Sequence, residues 1–192
     1  MKFLLDTRLP TFDRFRAEYP DLVRGQLMTP YFFNLLDKHR EKADRCLFVC
    51  LPDIVGNAKL TLDIWQQIKT EQRFDKYPLA YVAQDGSEAI DIPWQEFSSL
   101  FVGGTTHWKD SAAVQDLVKA ALILQKHVHI GRVNQVDRYL RFAEAGAHTC
   151  DGSGASQYSE KLRDIDRAIR NNGRSAPLLD YIEEKEESNQ CG

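Results

Sequence analysis

The chain of 192 residues is 43% hydrophobic and 28% charged, which is the composition of an ordinary globular protein long enough to bury one core. Its net charge of −3 argues against a generally basic nucleic-acid binder and leaves room only for a local basic patch. No apolar run reaches the roughly 18–20 residues that cross a bilayer. The opening MKFLLDTRLP becomes charged at Asp6 too early for a signal peptide, so we expect no membrane association.

The four cysteines include no Cys-x-x-Cys pair, so they predict neither a disulfide framework nor a zinc finger. Cys46 and Cys50 fall on one face of a predicted strand and are interpreted as buried thiols. We expect no metal, no cofactor and a reducing, cytoplasmic location. Residues 1–175 are predicted to form one domain, and the acidic residues 176–192 a solvated tail.

Strands and helices alternate along the chain in a regular way. The opening KFLLDT predicts a short strand, and continuous apolar runs predict five more: 46–53, 77–86, 99–106, 127–133 and 147–154. Amphipathic periodicity predicts the helices between and after them: 57–74, 111–126, 135–146 and 156–173. Ser111 or Asp110 is the expected N-cap of the second of these helices, and Gly146 the residue that ends the third.

Strands that alternate with crossover helices give parallel βα units and an α/β fold. A closed eight-stranded barrel usually needs about 250 residues, and this chain supplies about six strands. The fold is therefore either a reduced TIM-like barrel or an open, doubly wound sheet. We prefer the reduced barrel because five consecutive strands end in polar residues or glycine.

The residues at these strand ends are candidates for a site, since the chemistry of parallel α/β folds collects at the carboxyl ends of strands. Asp53 could accept two hydrogen bonds from an edge like that of guanine, and Gln84 could donate to a ring carbonyl. Gly103 and Gly104 would let backbone N–H groups approach a ring. The alternative is that aspartates here, including Asp85, only cap the starts of loops.

Further along the chain, Asp151 would be free to act as a nucleophile or base, and Arg132 could hold a phosphate. Asn134, in the same strand-end segment as Arg132, is predicted to contact substrate. His129 alternates inside a strand and is interpreted as a satisfied core histidine. Three further basic residues are predicted to contact a nucleic-acid backbone: Lys109, Arg138 and Arg141.

Four segments resemble the tRNA-guanine transglycosylase superfamily, and most of all its phage and bacterial branch, the 7-deazaguanine DNA transglycosylases. They read LFVCLPDIVGNAKLTL, LAYVAQDG, IPWQEFSSLFVGGTTHWK and HVHIGRVNQVDRYLRFAEAGAHTCDGSG, and the resemblance covers about residues 46–165. It implies a TIM-like barrel, DNA and a 7-deazaguanine or guanine base as partners, and a bacterial or phage-infected cell.

The resemblance also implies roles for single residues. Asp53 matches the base-recognition aspartate of the family, Gln84 its glutamine, and Gly103 with Gly104 its Gly-Gly turn. Asp151 matches the nucleophilic aspartate that attacks C1′ of a guanosine nucleotide, so that guanine leaves and a 7-deazaguanine replaces it with retained configuration.

Two features depart from the family pattern. The chain has nothing like the Cys-rich zinc site of the tRNA enzymes, which favours the DNA branch. It also lacks the early Asp-(Ser/Asn)-Gly-x-Phe motif that carries the acid/base, and neither Asp6 nor Asp37 fits it. Two alternatives therefore stay open: a non-catalytic relative that binds a base or nucleic acid, acting with a protein partner or as a homodimer, and an N-glycosylase in which water completes the reaction.

Overall fold

The computed structural model describes residues 2–4, 34–152 and 159–170. Its six strands are those predicted, although each is shorter than its apolar run: β1 (Lys2–Leu4), β2 (Val49–Cys50), β3 (Leu79–Ala83), β4 (Ser99–Val102), β5 (His127–Ile130) and β6 (Thr149–Asp151). The helices are α1 (34–39), α2 (Ala58–Ile68), α3 (Thr106–Lys109), α4 (Ala112–Ile123), α5 (Val136–Glu144) and α6 (Ser159–Arg170). Short 3-10 turns lie at Arg40–Arg45, Gln72–Phe74, Ser87–Ala89 and Trp94–Glu96. The predicted tail, 176–192, lies outside the described residues.

The strands form one parallel sheet in the order β1-β6-β5-β4-β3-β2. From β2 to β6 each strand lies beside the one before it in the chain, without the reversal that defines a doubly wound sheet. Right-handed crossovers in one winding direction put the helices on a single face of the sheet. The sheet curls into a half-barrel, which is compatible with the predicted reduced TIM-like barrel.

Local signals explain where the helices begin and end. The Asn57 side chain accepts a hydrogen bond from Leu60 N (3.0 Å) and begins α2. Ser111 stands at the N-cap position of α4, as predicted, but makes no side-chain capping bond. Gly146 has φ of +93° just after the C-cap of α5, which confirms its predicted role as the residue that ends that helix.

The two faces of the sheet carry different side chains, because neighbouring residues of a strand point to opposite sides. The face toward the helices is mostly apolar: Leu100, Val128 and Ile130 are completely buried and pack in one cluster with helix residues such as Val114 and Phe142. No helix of the described residues is both long and apolar enough to cross a bilayer.

The concave face is instead aromatic and polar. Val82, Phe101, His129 and Thr149 are paired in register across β3 to β6, and the Phe101 and His129 rings stack with centroids 4.6 Å apart. One step further toward the carboxyl ends, the same alternation places a second inward-facing row consisting of Gln84, Gly103, Gly131 and Asp151. The register therefore brings three of the predicted site residues to one level of the concave face.

We expect Gly131→Ala to lower the free energy of unfolding by about 1–3 kcal/mol. A Cβ at this position would lie 2.6 Å from Cε1 of the Phe101 ring, so the ring must move. Adding Phe101→Leu should recover part of the loss, and chemical denaturation of the two single variants and the double variant measures the coupling. Strictly additive effects would contradict the inward-facing register of β4 and β5.

Candidate active site

Gln84 joins the loops that follow three strands. Its side chain is 1% exposed, and its Nε2 donates to Asp53 Oδ2 (2.5 Å). Its Oε1 accepts from the backbone N–H of Gly56 (3.0 Å) and of Gly104 (2.8 Å), which uses both lone pairs of the oxygen. Gln84 was predicted to donate to a base carbonyl, but it is buried and its amide is used within the protein, so it positions Asp53 and Gly104 instead.

A second set of hydrogen bonds continues this network to Asp151. Arg132 Nη2 donates to Gly104 O (2.7 Å), and Arg132 N donates to Asp151 Oδ1 (2.7 Å). Arg132 has φ of +56°, a left-handed conformation that costs a non-glycine residue energy and persists where the surroundings fix it, often at functional sites. Asp53, Gln84, Gly104, Arg132 and Asp151 thus form one connected group at the carboxyl ends of the strands.

Asp151 is held as a carboxylate. Its Oδ2 accepts from His129 Nε2 (2.9 Å) in addition to the bond from Arg132 N. Burial alone would raise the pKa of Asp151, but these two hydrogen bonds and the charges of His129 and Lys109 outweigh it, and the pKa lies below its ordinary value. Because the side chain is still 30% exposed, an ionised oxygen can meet a substrate.

The pKa of Asp53 is shifted in the opposite direction from that of Asp151. Burial raises the pKa of Asp53, against the opposing effects of the Arg132 charge and the Gln84 hydrogen bond. Both Asp53 and Asp151 act on the Cys50 thiol, whose pKa is raised by burial first and by these carboxylates next, so the two aspartates face one region. Carboxyls in one site whose pKa values move in opposite directions are a usual sign of divided roles.

His129 is the residue whose role the sequence interpretation missed. It is a buried histidine with both ring nitrogens satisfied, as expected, but one of its partners is Asp151. The other is Thr149 Oγ1, 2.8 Å from His129 Nδ1 and also 2.8 Å from His127 Nε2. The period-two alternation of HVHI placed both histidines on the concave face, and that is the signal that could have found them.

The backbone turns around the site depend on small residues. Gly104 has φ of +67°, and a Cβ there would lie 2.3 Å from the Trp108 ring. A Cβ at Gly152 would lie 2.3 Å from Val133 O and 2.7 Å from Asn134 Oδ1. Asn134 therefore packs against the residue that follows Asp151, at the same end of the sheet as the site.

Asp85 caps the start of a loop, which was the alternative interpretation of the aspartates at the strand ends. Its Oδ2 accepts from Thr105 N (2.7 Å) and its Oδ1 from Thr105 Oγ1 (2.6 Å). Burial would raise the pKa of Asp85, but these bonds lower it overall. The Thr105 hydroxyl in turn accepts from Trp108 N (3.3 Å) at the start of α3, so Asp85 fixes the turn that contains Gly104.

The structure corrects two of the predicted phosphate contacts. Lys109 is 1% exposed and donates to Gly131 O (2.7 Å), so it is an internal support of the β5 end; burial lowers its pKa to about 8. Arg138 is buried against Asp110 through Nε (3.2 Å) and Nη2 (3.0 Å). Arg141 bonds the same carboxylate but is partly exposed, and its contact with nucleic acid stays a prediction.

The early carboxylates give no acid/base in the described part of the chain. Asp37 pairs with Arg73 at 3.7 Å, away from the strand ends, and Asp6 lies outside the described residues. Within the same part, no group of three or more histidine, cysteine or acidic residues is arranged to hold a metal ion. A cleft of about 500 Å³ lies at the amino ends of the strands, lined by Leu79, Ser98 and Lys126 among others, and it contains none of the predicted site residues.

No protein-family model matches the chain, and none of the curated proteins searched is significantly similar to it. The resemblance to the guanine transglycosylases therefore rests on the quoted motifs.

We expect Gln84→Glu to make stability fall with rising pH. The new carboxylate would lie against Asp53 Oδ2, and two carboxylates at the 2.5 Å separation seen here cannot both ionise, so the folded state retains a proton. A folded-state pKa raised above the unfolded value contributes stability below the unfolded pKa, which is lost as pH rises through the folded one. Melting temperatures between pH 4 and 8 measure this.

Gln67→Glu, on the exposed side of α2, is the matched control and should follow the parent. Equal pH dependence in the two variants would show that Gln84 and Asp53 are not in contact.

Proposed function

We propose that the chain is a DNA-guanine transglycosylase, which exchanges guanine for a 7-deazaguanine through a covalent ester on Asp151. The observation that carries the proposal is the hydrogen-bonded, partly exposed Asp151 carboxylate, joined through Arg132, Gly104 and Gln84 to Asp53. The order of these residues along the chain is that of the matching family motifs. The half-barrel of parallel strands is compatible with a partial TIM-like barrel, which completes the proposal.

The chemistry follows from an ionised nucleophile. A lone pair of an Asp151 oxygen forms a bond to C1′, the bond from C1′ to guanine N9 breaks, and the electron pair leaves with the base, which takes up a proton at N9. The incoming 7-deazaguanine loses its N9 proton and attacks C1′, and the bond to Asp151 breaks. Protons balance over the two steps, and two displacements retain the configuration at C1′.

Base recognition falls to Asp53. The N–H groups of Gly103 and Gly104, predicted to approach the ring, already donate to Ala83 O (2.9 Å) and Gln84 Oε1 (2.8 Å), so that predicted contact is corrected. Asp53 Oδ2 already accepts from Gln84, and its remaining lone pairs can accept N–H donors of a guanine edge. The target nucleotide has to leave the base stack before its C1′ can approach Asp151. Arg132 is exposed beside Asp151, which supports the proposal that its guanidinium contacts an adjoining phosphate.

We expect Asp151→Ala to abolish the incorporation of labelled guanine or a labelled 7-deazaguanine into duplex DNA. The parent should also give a protein–DNA band that survives denaturing electrophoresis, and the variant should not. The control is Asp137→Ala, an exposed carboxylate of α5, which should exchange like the parent. Circular dichroism checks that both variants fold.

The same experiment separates the alternatives. Alkali-labile abasic sites without incorporation indicate an N-glycosylase. Stabilisation of the fold by guanine with neither incorporation nor abasic sites indicates a binding protein. Incorporation by Asp151→Ala equal to that of the parent contradicts the mechanism, and labelling of tRNA in preference to DNA contradicts the choice of substrate.

We expect Arg132→Gln to weaken DNA binding and to reduce the slope of log affinity against log salt concentration by about one, because one phosphate contact releases about one counterion. Lys119→Gln is the control, since Lys119 lies exposed on α4 beside Asp116, away from the strand ends. Fluorescence anisotropy at four salt concentrations gives both slopes. Identical slopes for parent and Arg132→Gln would remove Arg132 from the DNA contact.

A further inference from the structure

The Asp151 carboxylate lies at the surface, and the His129 ring lies behind it, toward the interior. The Asp151 side chain is 30% exposed and the His129 side chain 3%, with 2.9 Å between Oδ2 and Nε2. Thr149, behind them, is 5% exposed. A substrate can therefore meet Asp151 but not His129, so any effect of His129 on the reaction has to pass through Asp151.

We propose that His129 is the positioning residue of Asp151, holding one carboxylate oxygen while Thr149 fixes the imidazole ring in the tautomer that can do so. The inference rests on the proposed function for its role in catalysis, but the hydrogen-bond chain itself is a property of the fold.

The direction of the hydrogen bonds follows from the charge of Asp151. Its lowered pKa makes it an acceptor only at neutral pH, so His129 Nε2 has to carry a proton. When the ring carries only that proton, its Nδ1 atom is an acceptor, and the Thr149 hydroxyl donates to it. The Thr149 oxygen keeps lone pairs for His127 Nε2–H, 2.8 Å away, so each group in the chain has a partner of the right kind.

The geometry also says what His129 does not do. In an in-line displacement at C1′, the nucleophile and the leaving base are on opposite faces of the sugar. His129 lies behind Asp151 and cannot deliver the proton that the departing guanine takes up. It therefore does not replace the early aspartate of the resembled family, and its contribution is confined to the charge and orientation of the nucleophile.

Several titratable groups face this pair from the surrounding elements, and a pH experiment has to account for them. Those of the described residues are His127 on β5, Cys50 on β2, Asp53 after β2, Lys109 on α3 and Arg132 after β5. Cys150 on β6 points to the other face of the sheet, but its thiol interacts with the charge of the adjacent Asp151. Burial lowers the pKa of His127, and its neighbours His148 and His129 lower it further. Burial raises the pKa of both thiols, so neither changes charge in the acidic range where Asp151 titrates.

Two substitutions at one position separate the two bonds of the ring. In His129→Gln the amide nitrogen lies near the place of Nε2, so the donor to Asp151 is retained. In His129→Asn the amide reaches only the place of Nδ1, so the contact with Thr149 is retained and the donor to Asp151 is lost. Both side chains are polar and uncharged, which makes each the control for the other.

The first measurement needs no activity. Carboxyl 13C shifts of aspartate-labelled protein, with the Asp151 signal assigned from Asp151→Asn, give its titration midpoint in each variant. We expect His129→Asn to raise the midpoint, because burial then acts without its main opposing hydrogen bond, and His129→Gln to stay close to the parent. Thr149→Val, which leaves residue 129 unchanged, should raise the midpoint by a smaller amount.

The second measurement is the pH profile of protein–DNA adduct formation. We expect the acid limb to move to higher pH in His129→Asn and to be largely restored in His129→Gln. On the plateau above the limb, the less well oriented carboxylate of His129→Asn should lower the rate by about 10- to 100-fold. The inference would be overturned if the Asp151 titration midpoint were the same in His129→Asn and His129→Gln. It would also be overturned if neither Thr149→Val nor His129→Asn moved that midpoint from its value in the parent. If no variant or parent forms an adduct but the midpoints shift as expected, the proposed function fails and the positioning role stands.

Discussion

The buried amide of Gln84 is the interaction on which the geometry of the strand ends depends. One oxygen accepts backbone N–H groups from the loops after β2 and β4, and the nitrogen of the same amide donates to Asp53. The Gly104 N–H is buried, and a buried N–H left without its acceptor costs about 1–3 kcal/mol, so the loop after β4 is held to Gln84 more firmly than a surface contact could hold it. Since Gly104 O then receives Arg132, the positions of Asp53 and Asp151 are not independent of each other.

This coupling gives the two aspartates different properties within one site. Asp151 receives two hydrogen bonds and the influence of Lys109, which favour its charged form, whereas burial dominates at Asp53. A ligand that presents N–H donors to Asp53 would favour the ionised form of that carboxyl. Such a ligand would bind more tightly because a charged acceptor makes a stronger hydrogen bond. The arrangement fits the proposed division of roles, in which the more readily ionised carboxyl, Asp151, is the nucleophile and Asp53 recognises the base.

The sequence was sufficient for those parts of the fold that follow from local patterns. Alternating apolar runs and amphipathic segments predict parallel βα units, and parallel strands put Asp53, Gln84 and Asp151 at one edge without knowledge of any contact. The partner of His129 depends instead on the register between β5 and β6, which pairs His129 with Thr149 and brings the Asp151 carboxylate within reach. The predictions for Lys109 and Arg138 were wrong for a similar reason. A charged residue is expected at the surface, but the Gly131 carbonyl pairs with the buried Lys109 and the Asp110 carboxylate with the buried Arg138.

The concave face gives a physical reason for a flat ligand at this site. Gly103 and Gly131 stand in the inward-facing row between Gln84 and Asp151, and the absence of side chains there lets the Phe101 ring and the Gln84 amide occupy the space. Phe101 stacks on His129 and is itself only partly buried, so an apolar ring lies between the two polar ends of the row. The proposed base would present its polar edge to a carboxylate beside the exposed part of this ring, because the inner side of the ring is already covered by His129.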